Sequence, residues 1–355
     1  MKGWMGKFKV LSLLGLVALF LAACGKENLT ALDPKGVGAQ KSLDLIIIPT
    51  VIMSFVFLVV MVLLVLALIK FRKKKGQKDF IPKQVEGNKT LEVVWTTIPI
   101  ILLIIIAVPT VIYTFDLADD ADASDHLNIN VTGNQYWWHF DYEGLEIQTS
   151  QDVYIPVNSK VYFNMKSSDV IHSFWVPTLS GKLDVNPENE NTFFLDAHEE
   201  GVYWGKCAEF CGPSHSLMDF KVVVVSQEEF EQWVADMQNF DPETAEPATD
   251  AAAQGRELFN ENNCLGCHAI GSSAAAIGPN LTNFGERSRL AGIEEMTKEK
   301  LVEWIVNPEL IKPGNKMTGK YPEVSQDDAA LIAEYLLQLS PSEITTEDAG
   351  NGIEQ

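Results

Sequence analysis

KCAEFCGPSHSLM, residues 206–218, gathers Cys207, Cys211, His215 and Met218 into one short stretch. Three readings compete for it: a metal site, a disulfide, or a chance cluster in a sulfur-tolerant core. Upstream, DVIHSFWVP (169–177) adds His172 at what reads as the end of a strand. Two thiols, two imidazoles and a thioether form the soft donor set that selects copper. A disulfide between cysteines four apart would close a tight loop and leave His215 and Met218 without a role. One cysteine with two histidines and a methionine suits a single copper. A second cysteine, placed so that both sulfurs can bridge, points to two.

The surrounding residues, 120–237, read as all-β. LNINVTGNQYWWHFDY, EIQTSQDVYIPVNSKVYFNM, NTFFLDA and FKVVVV alternate with period two or run β-branched, and turn residues divide them. That suits a Greek-key sandwich or barrel. A closing helix is expected at about 226–238, because Ser226 and Glu229 form a capping-box pattern.

Toward the N-terminus, residues 1–23 carry Lys2, Lys7 and Lys9, then an apolar run, then Ala22 and Ala23, the order of a secretory signal. LAAC (21–24) resembles the lipobox of bacterial lipoproteins, which implies a lipidated Cys24 as first mature residue and contact with membrane lipid. A plain signal with an incidental cysteine is the alternative. Residues 43–69 contain only Asp44 as a charge and, at about 1.5 Å per residue, outreach the roughly 30 Å apolar core of a bilayer. A second apolar span, 92–115, holds Pro99 and Pro109, which membrane helices tolerate. The connecting loop, 70–90, is rich in lysine and arginine, so it is expected on the cytoplasmic side, with both ends of the hairpin outside.

Everything beyond Phe115 then lies outside. It carries 42 acidic and 13 basic residues, while the whole chain nets −21. Acidity of this kind keeps domains soluble and attracts a basic partner over long range; no nucleic-acid partner is expected. At 238–250 prolines and alanines replace the larger aliphatics, and the stretch reads as a flexible linker between two outer domains.

Beyond that linker, in residues 251–345, CLGCH (264–268) has the C-x-x-C-H spacing of covalent haem attachment. A bare C-x-x-C fits a disulfide or a redox pair, but neither requires His268 in the next position. GRELFNENN precedes it as a short helix, GPNL follows at 278–281, and KPGNKMTG carries Met317. SQDDAALIAEYLLQL (325–339) has the apolar spacing of an amphipathic helix.

His172, Cys207-Ala-Glu209-Phe-Cys211, His215 and Met218, following a two-helix hairpin, resemble the subunit II family of cytochrome c oxidases. The resemblance covers about residues 40–235 and implies a cupredoxin fold with a binuclear CuA centre. It implies that Cys207 and Cys211 bridge the coppers and that His172 and His215 bind one each. Met218 becomes a weak axial ligand and Glu209 a carbonyl ligand, whose carboxylate also helps to hold magnesium at the interface with subunit I. The last domain resembles a class I cytochrome c, all-α, with Cys264 and Cys267 as haem thioethers. There His268 and Met317 become axial ligands, a pairing that raises the iron potential, and the Pro279 carbonyl orients His268. Thr318 stands where many relatives have proline, and Met296 is the rival to Met317.

LEVVWTTIP (91–99) resembles the family's E-x-x-W-T-x-x-P motif, which implies a proton-uptake role for Glu92; simple helix capping is the alternative. In GNQYWWHFDY, Tyr136 falls where relatives carry the tryptophan that admits electrons, with Trp137 and Trp138 next to it. All three could instead pack the sandwich. His126, His139 and His198 read as surface or structural residues. Lipidation, copper and haem together use all five cysteines.

The resemblance implies subunit II of a haem-copper terminal oxidase fused to a cytochrome c. Electrons would pass from a cytochrome c donor through haem c and CuA to subunit I, which sits among other oxidase subunits, reduces oxygen to water and pumps protons. No catalytic residue for oxygen chemistry is expected in this chain. The alternatives are the CuA subunit of a nitric oxide reductase and a non-enzymatic lipoprotein that relays copper or electrons. A quinol oxidase subunit is disfavoured, since that branch lacks the copper ligands. The expected place is the bacterial plasma membrane, two-pass and lipid-anchored, with both outer domains extracytoplasmic.

Overall fold

The computed structural model describes residues 28–72, 86–118, 126–271 and 277–344, together with Gly15. The lipobox, Cys24, and most of the basic loop lie outside the described residues. Helix α1 (Val37–Lys70) and helix α2 (Lys89–Leu117) are long and apolar enough to cross a membrane, and their leucines and isoleucines face outward. Aliphatic surface of this extent is stable only in lipid. Near their outer ends Lys41 pairs with Asp116 at 3.1 Å, and Tyr113 Oη donates to Asp44 at 3.3 Å.

The segment that leads into α1 is pinned to the outer domain. Asn28 Nδ2 donates to the Val202 carbonyl, Lys35 N to Thr178, and His198 N to Lys35. Gly36 lies so close to the Leu179 and Asp196 carbonyls that a Cβ could not fit. The β domain is therefore seated on the helix rather than swinging from it.

That domain is a sandwich of two five-stranded sheets. One runs β3 (Ile147–Ser150), β2 (Trp137–Tyr142), β1 (Leu127–Asn134), β5 (Lys160–Ser167) and β8 (Asn191–Asp196). The other runs β4 (Asp152–Pro156), β10 (Asp219–Val225), β9 (Gly201–Cys207), β6 (His172–Trp175) and β7 (Lys182–Val185). Within each sheet one neighbouring pair is parallel, β1 with β5 and β10 with β4, and the other pairs are antiparallel. Aromatic side chains fill the space between them: Trp138 lies 5.4 Å from both Phe174 and Phe220, which stack on each other at 4.4 Å. Helix α3 (Gln227–Asn239) closes the domain with the expected capping box, Ser226 Oγ accepting from Glu229 N and the Glu229 carboxylate from Ser226 N.

Helices α4 (Asp250–Glu261), α5 (Lys298–Val306) and α6 (Gln326–Leu337) build the last domain, with a two-residue ribbon of β11 (Arg289–Leu290) and β12 (Glu294–Glu295). The connection between α3 and α4 is not free. Ala248 N donates to Gln338 Oε1 and Arg256 to the Ala245 carbonyl. The two outer domains pack directly: Asn280 N donates to Ser150 Oγ at 3.0 Å, Ser342 Oγ to Asp236 at 2.9 Å, and Ser214 Oγ to the Pro313 carbonyl at 2.6 Å. The connection expected to be flexible thus joins two domains that hydrogen-bond to each other at these points.

Candidate copper centre and haem cavity

Strand β6 begins and β9 ends at the same rim of the sandwich, so His172 stands at a strand start rather than the expected end, and the loop 208–217 folds back across the rim before β10 begins. His172 opens β6, Cys207 closes β9, and a 3₁₀ turn at His215–Leu217 brings His215 and Met218 to the same place. Cys207 Sγ lies 3.8 Å from His172 Nδ1 and 3.8 Å from Cys211 Sγ. Cys211 Sγ lies 3.7 Å from His215 Nδ1 and 3.8 Å from Met218 Sδ. The Glu209 carbonyl is 3.2 Å from Cys207 Sγ. The sequence-predicted ligands are thus brought together, in a buried pocket whose His172 is fully enclosed.

Sulfurs 3.8 Å apart are not bonded, since a disulfide needs about 2.05 Å. The spacings suit metal instead: donors about 2.0–2.3 Å from a first-row ion stand roughly 3.3–3.8 Å from each other. The donor set fits copper in softness. Electrostatics agree. The two thiols share one proton: the hydrogen bond between them lowers the Cys207 pKa, with help from His172 and against burial, and raises that of Cys211. A bound cation would favour ionisation of both thiols and release that proton.

His172 is held from behind. Its Nε2 lies 2.9 Å from Asp169 Oδ1, which fixes the ring with Nδ1 toward Cys207. Burial works against a charged His172, yet Asp169 and Cys207 outweigh it and raise its pKa. Asp169, in turn, is held well below the usual carboxylate range: burial opposes this, and His172, Lys316 and two backbone N–H groups overcome it. Sequence reading did not single out Asp169. Its signal was an acid three residues before a ligand histidine.

A second site lies in the last domain. A cavity of about 740 Å³ is lined by Cys264, Cys267, His268 and Met317, with apolar walls such as Phe259 and Leu301. Met296 is not among the lining residues and packs against the domain's apolar cluster. The C-x-x-C stretch forms a 3₁₀ turn in which Cys267 N and His268 N both bond to the Cys264 carbonyl, so the two thiols and the imidazole face one space. His268 Nδ1 donates to the Pro279 carbonyl at 2.8 Å, leaving Nε2 for a ligand. Met317 sits on a turn that Asn315 holds, its Oδ1 accepting from Met317 N and Thr318 N at 2.9 Å. This side chain supplies the stiffness that a proline at 318 would otherwise give. A hollow lined by paired thiols, an imidazole and a thioether fits haem.

The β domain completes that cavity. Gln135, Tyr136 and Trp137 line it, whereas Trp138 is wholly buried in the sandwich beside His172. The three aromatics therefore divide: Trp138 packs the core, Trp137 faces the cavity, and the buried Tyr136 belongs to both. Lys312, which is buried, donates to the carbonyls of Tyr136 and Ala291, one on each domain, and burial lowers its pKa to about 7. Gln135 reaches both ways, lining the cavity and donating to the Cys211 carbonyl at 2.5 Å.

Elsewhere, Glu92 lies in the first turn of α2, where Asn88, not Glu92, accepts from the Leu91 N–H as the cap. The Glu209 carboxylate is exposed on the copper loop. Of the remaining histidines, His126 packs on Tyr162, His139 on Trp137, and His198 lies 3.5 Å from Asp196.

Three family descriptions match successive parts of the chain: cytochrome c oxidase subunit II, transmembrane domain, over 40–112; its periplasmic domain over 144–226; and cytochrome c over 252–340. Cytochrome c oxidase subunit 2 of Bacillus subtilis (strain 168) is 48% identical over 347 residues, covering 93% of this chain and 97% of that one. Its counterpart from Alkalihalophilus pseudofirmus is also 48% identical, over 97% and 100%. Quinol oxidase subunit 2 of Bacillus spizizenii is 34% identical and covers 68% of this chain and 77% of its own length.

Proposed function

The chain belongs to the cytochrome c oxidase subunit 2 family, and from that premise we propose how its residues divide the work. It is an electron-transfer component of the oxidase complex, a two-pass membrane protein with a copper-bearing β domain outside and a haem-bearing cytochrome domain behind it. In our reading Cys207, Cys211, His172, His215, Met218 and the Glu209 carbonyl would together hold two coppers. Haem of the c type would be attached through Cys264 and Cys267 and held by His268 and Met317. Both groups, when bound, supply one-electron exchange without bond-making.

The protein's part is to hold ligands still and keep water out. A buried ligand cluster behind a sandwich of stacked aromatics leaves little to rearrange when charge changes, which favours fast transfer. Tyr136 and Trp137 close the space between the haem cavity and the copper rim. We infer an electron order from a cytochrome c donor to the cytochrome domain, then the copper domain, then subunit I, where oxygen is reduced to water and protons are pumped. The exposed Glu209 carboxylate is proposed as a magnesium ligand against subunit I. Glu92 is proposed at a proton-uptake mouth, and Cys24 as the lipid anchor of an extracytoplasmic assembly in the plasma membrane. Domain limits follow the sequence: hairpin 43–115, copper domain 120–237, linker 238–250, cytochrome domain 251–345.

The convergence of His172, Cys207, Cys211, His215 and Met218 on one rim carries this reading. Metal analysis of the full-length protein should find two coppers and one haem per chain, with a spin signal shared by both coppers. Cys207→Ser or Cys211→Ser should abolish that signal, while Met218→Leu should keep copper and shift its potential. One copper per chain, or a Cys207–Cys211 disulfide in place of copper, would overturn it. For Glu92, the assembled oxidase with Glu92→Gln should turn over more slowly with unchanged copper and haem spectra; equal turnover across pH removes the proton role.

A further inference from the structure

Asp169 belongs to two structures at once. Through Oδ1 it meets the far nitrogen of His172, and through Oδ2 it meets Lys316 Nζ of the cytochrome domain at 2.6 Å. Lys316 immediately precedes Met317, whose side chain lines the haem cavity. Gln135 N and Val170 N also donate to this carboxylate, both at 2.8 Å, so its position is set by four donors. A single side chain therefore connects a copper-site imidazole to the loop that carries a proposed iron ligand.

We propose that Asp169 and Lys316 are positioning residues that couple the seating of the cytochrome domain to the reduction potential of the copper site. The inference rests on reading the 172–218 cluster as copper-binding. A carboxylate behind a ligating histidine makes the ring a stronger donor and favours the oxidised metal. A lysine on the carboxylate's other oxygen draws that charge away and favours the reduced metal. With the cytochrome domain seated, Lys316 thus makes the copper site a better electron acceptor for the domain that feeds it. By linkage, reduction of the copper site must strengthen the seat by the same factor.

The ion pair is not what holds the domains together. Lys316 is about half exposed, and such pairs add little stability. The seat has other fastenings, among them Lys312 to the Tyr136 carbonyl, Lys221 to Ser288, and Ser214 to the Pro313 carbonyl. Removing the Lys316 charge should therefore leave the domains docked and change the potential, a separation that a purely structural ion pair would not produce.

Redox titration of the full-length protein, following copper and haem absorption separately, tests this. Lys316→Met should lower the copper potential and shift the haem-to-copper equilibrium constant against copper, within the roughly 5–150-fold range of coupled sites. Lys316→Arg should restore it. Asp169→Asn should raise the copper potential, and adding Lys316→Met to it should then change nothing at copper. Hydrogen exchange at the domain boundary should be slower in the copper-reduced protein than in the oxidised one, and Lys316→Met should erase that difference. If Asp169→Asn does not retain copper, the two Lys316 variants carry the test alone. A copper potential that ignores Lys316→Met overturns the coupling, as does an equal shift in the Asp169→Asn background. A wild-type chain with no copper signal overturns instead the copper reading beneath it.

Discussion

The two redox sites of this chain are built in opposite ways. Around the copper rim the donors already touch one another, on strand ends fixed by the sandwich, and Cys207, Cys211 and Met218 are packed into its core. In the cytochrome domain the donors and apolar side chains such as Phe259 and Leu301 line a hollow of about 740 Å³. One domain packs most of its donors into a core that is filled throughout. The other has a site in place of the middle of its core. Metal should therefore be an addition to the first fold and a component of the second.

The largest test of that difference removes each group in turn. A Cys264→Ala/Cys267→Ala chain, unable to attach haem covalently, should lose the cytochrome domain's resistance to proteolysis altogether, since its lining would be left against water. The copper spectrum should persist. Chelation of copper from the wild-type chain should leave both domains protease-resistant, with changes limited to the rim. If the haem-free domain stays resistant, or the copper-free sandwich falls apart, the contrast between the sites is wrong.

The same contrast explains what was legible in the sequence. Metal ligands come in short spaced motifs, so Cys207 through Met218 and Cys264 through His268 could be read as local pattern, and period two in WWHFDY and the β-branched run in FKVVVV revealed strands. The helix boundaries followed from caps, as at Ser226. The seat between the domains had no such signature. It is made by residues far apart in sequence, Asp169 with Lys316 and Tyr136 with Lys312, each an ordinary charge or aromatic until the chain brings them together. For this reason the connection at 238–250 reads as a flexible tether, although its surroundings hold it.

A smaller effect is expected where the seat is tightest. Gly292 has φ +82°, and a Cβ there would run into Gln151 Nε2 and the Asp219 carbonyl across the domain boundary. Gly292→Ala should strain the backbone by about 1–3 kcal/mol and push the ribbon off the sandwich. Cross-linking yield between the two domains should fall while each retains its own spectrum. An unchanged yield would mean that the ribbon is not a fastening.

In the intact seat, transfer from haem to copper is within one body, so its rate should be independent of protein concentration and nearly independent of salt. Reduction by a separate basic cytochrome c should slow as ionic strength rises, because it relies on the acidic exterior and the Debye length shrinks to about 8 Å at physiological salt. Stopped-flow measurement of the two steps separates them. Equal salt dependence would mean that the cytochrome domain leaves its seat in every turnover.

The smallest effect concerns protons at the same boundary. Glu286 is buried, and burial raises its pKa to about 8, with Ser342 N, Asn283, Arg287 and Trp233 opposing the shift. Trp233 comes from α3 of the copper domain; Tyr154 and Asp152 of β4 act on the neighbouring Arg287, and Asp236 accepts from Ser342 Oγ. The folded value lies above the ordinary 4.5, so the folded chain binds a proton that the unfolded chain has released. The contribution of this group to stability is full below the unfolded value and is lost as pH rises through about 8. Denaturant midpoints of the full chain should therefore fall between about pH 5 and 8 more steeply in wild type than in Glu286→Gln, whose amide stays neutral throughout. Parallel slopes would show that Glu286 is already ionised in the fold, with Arg287 as its counter-charge.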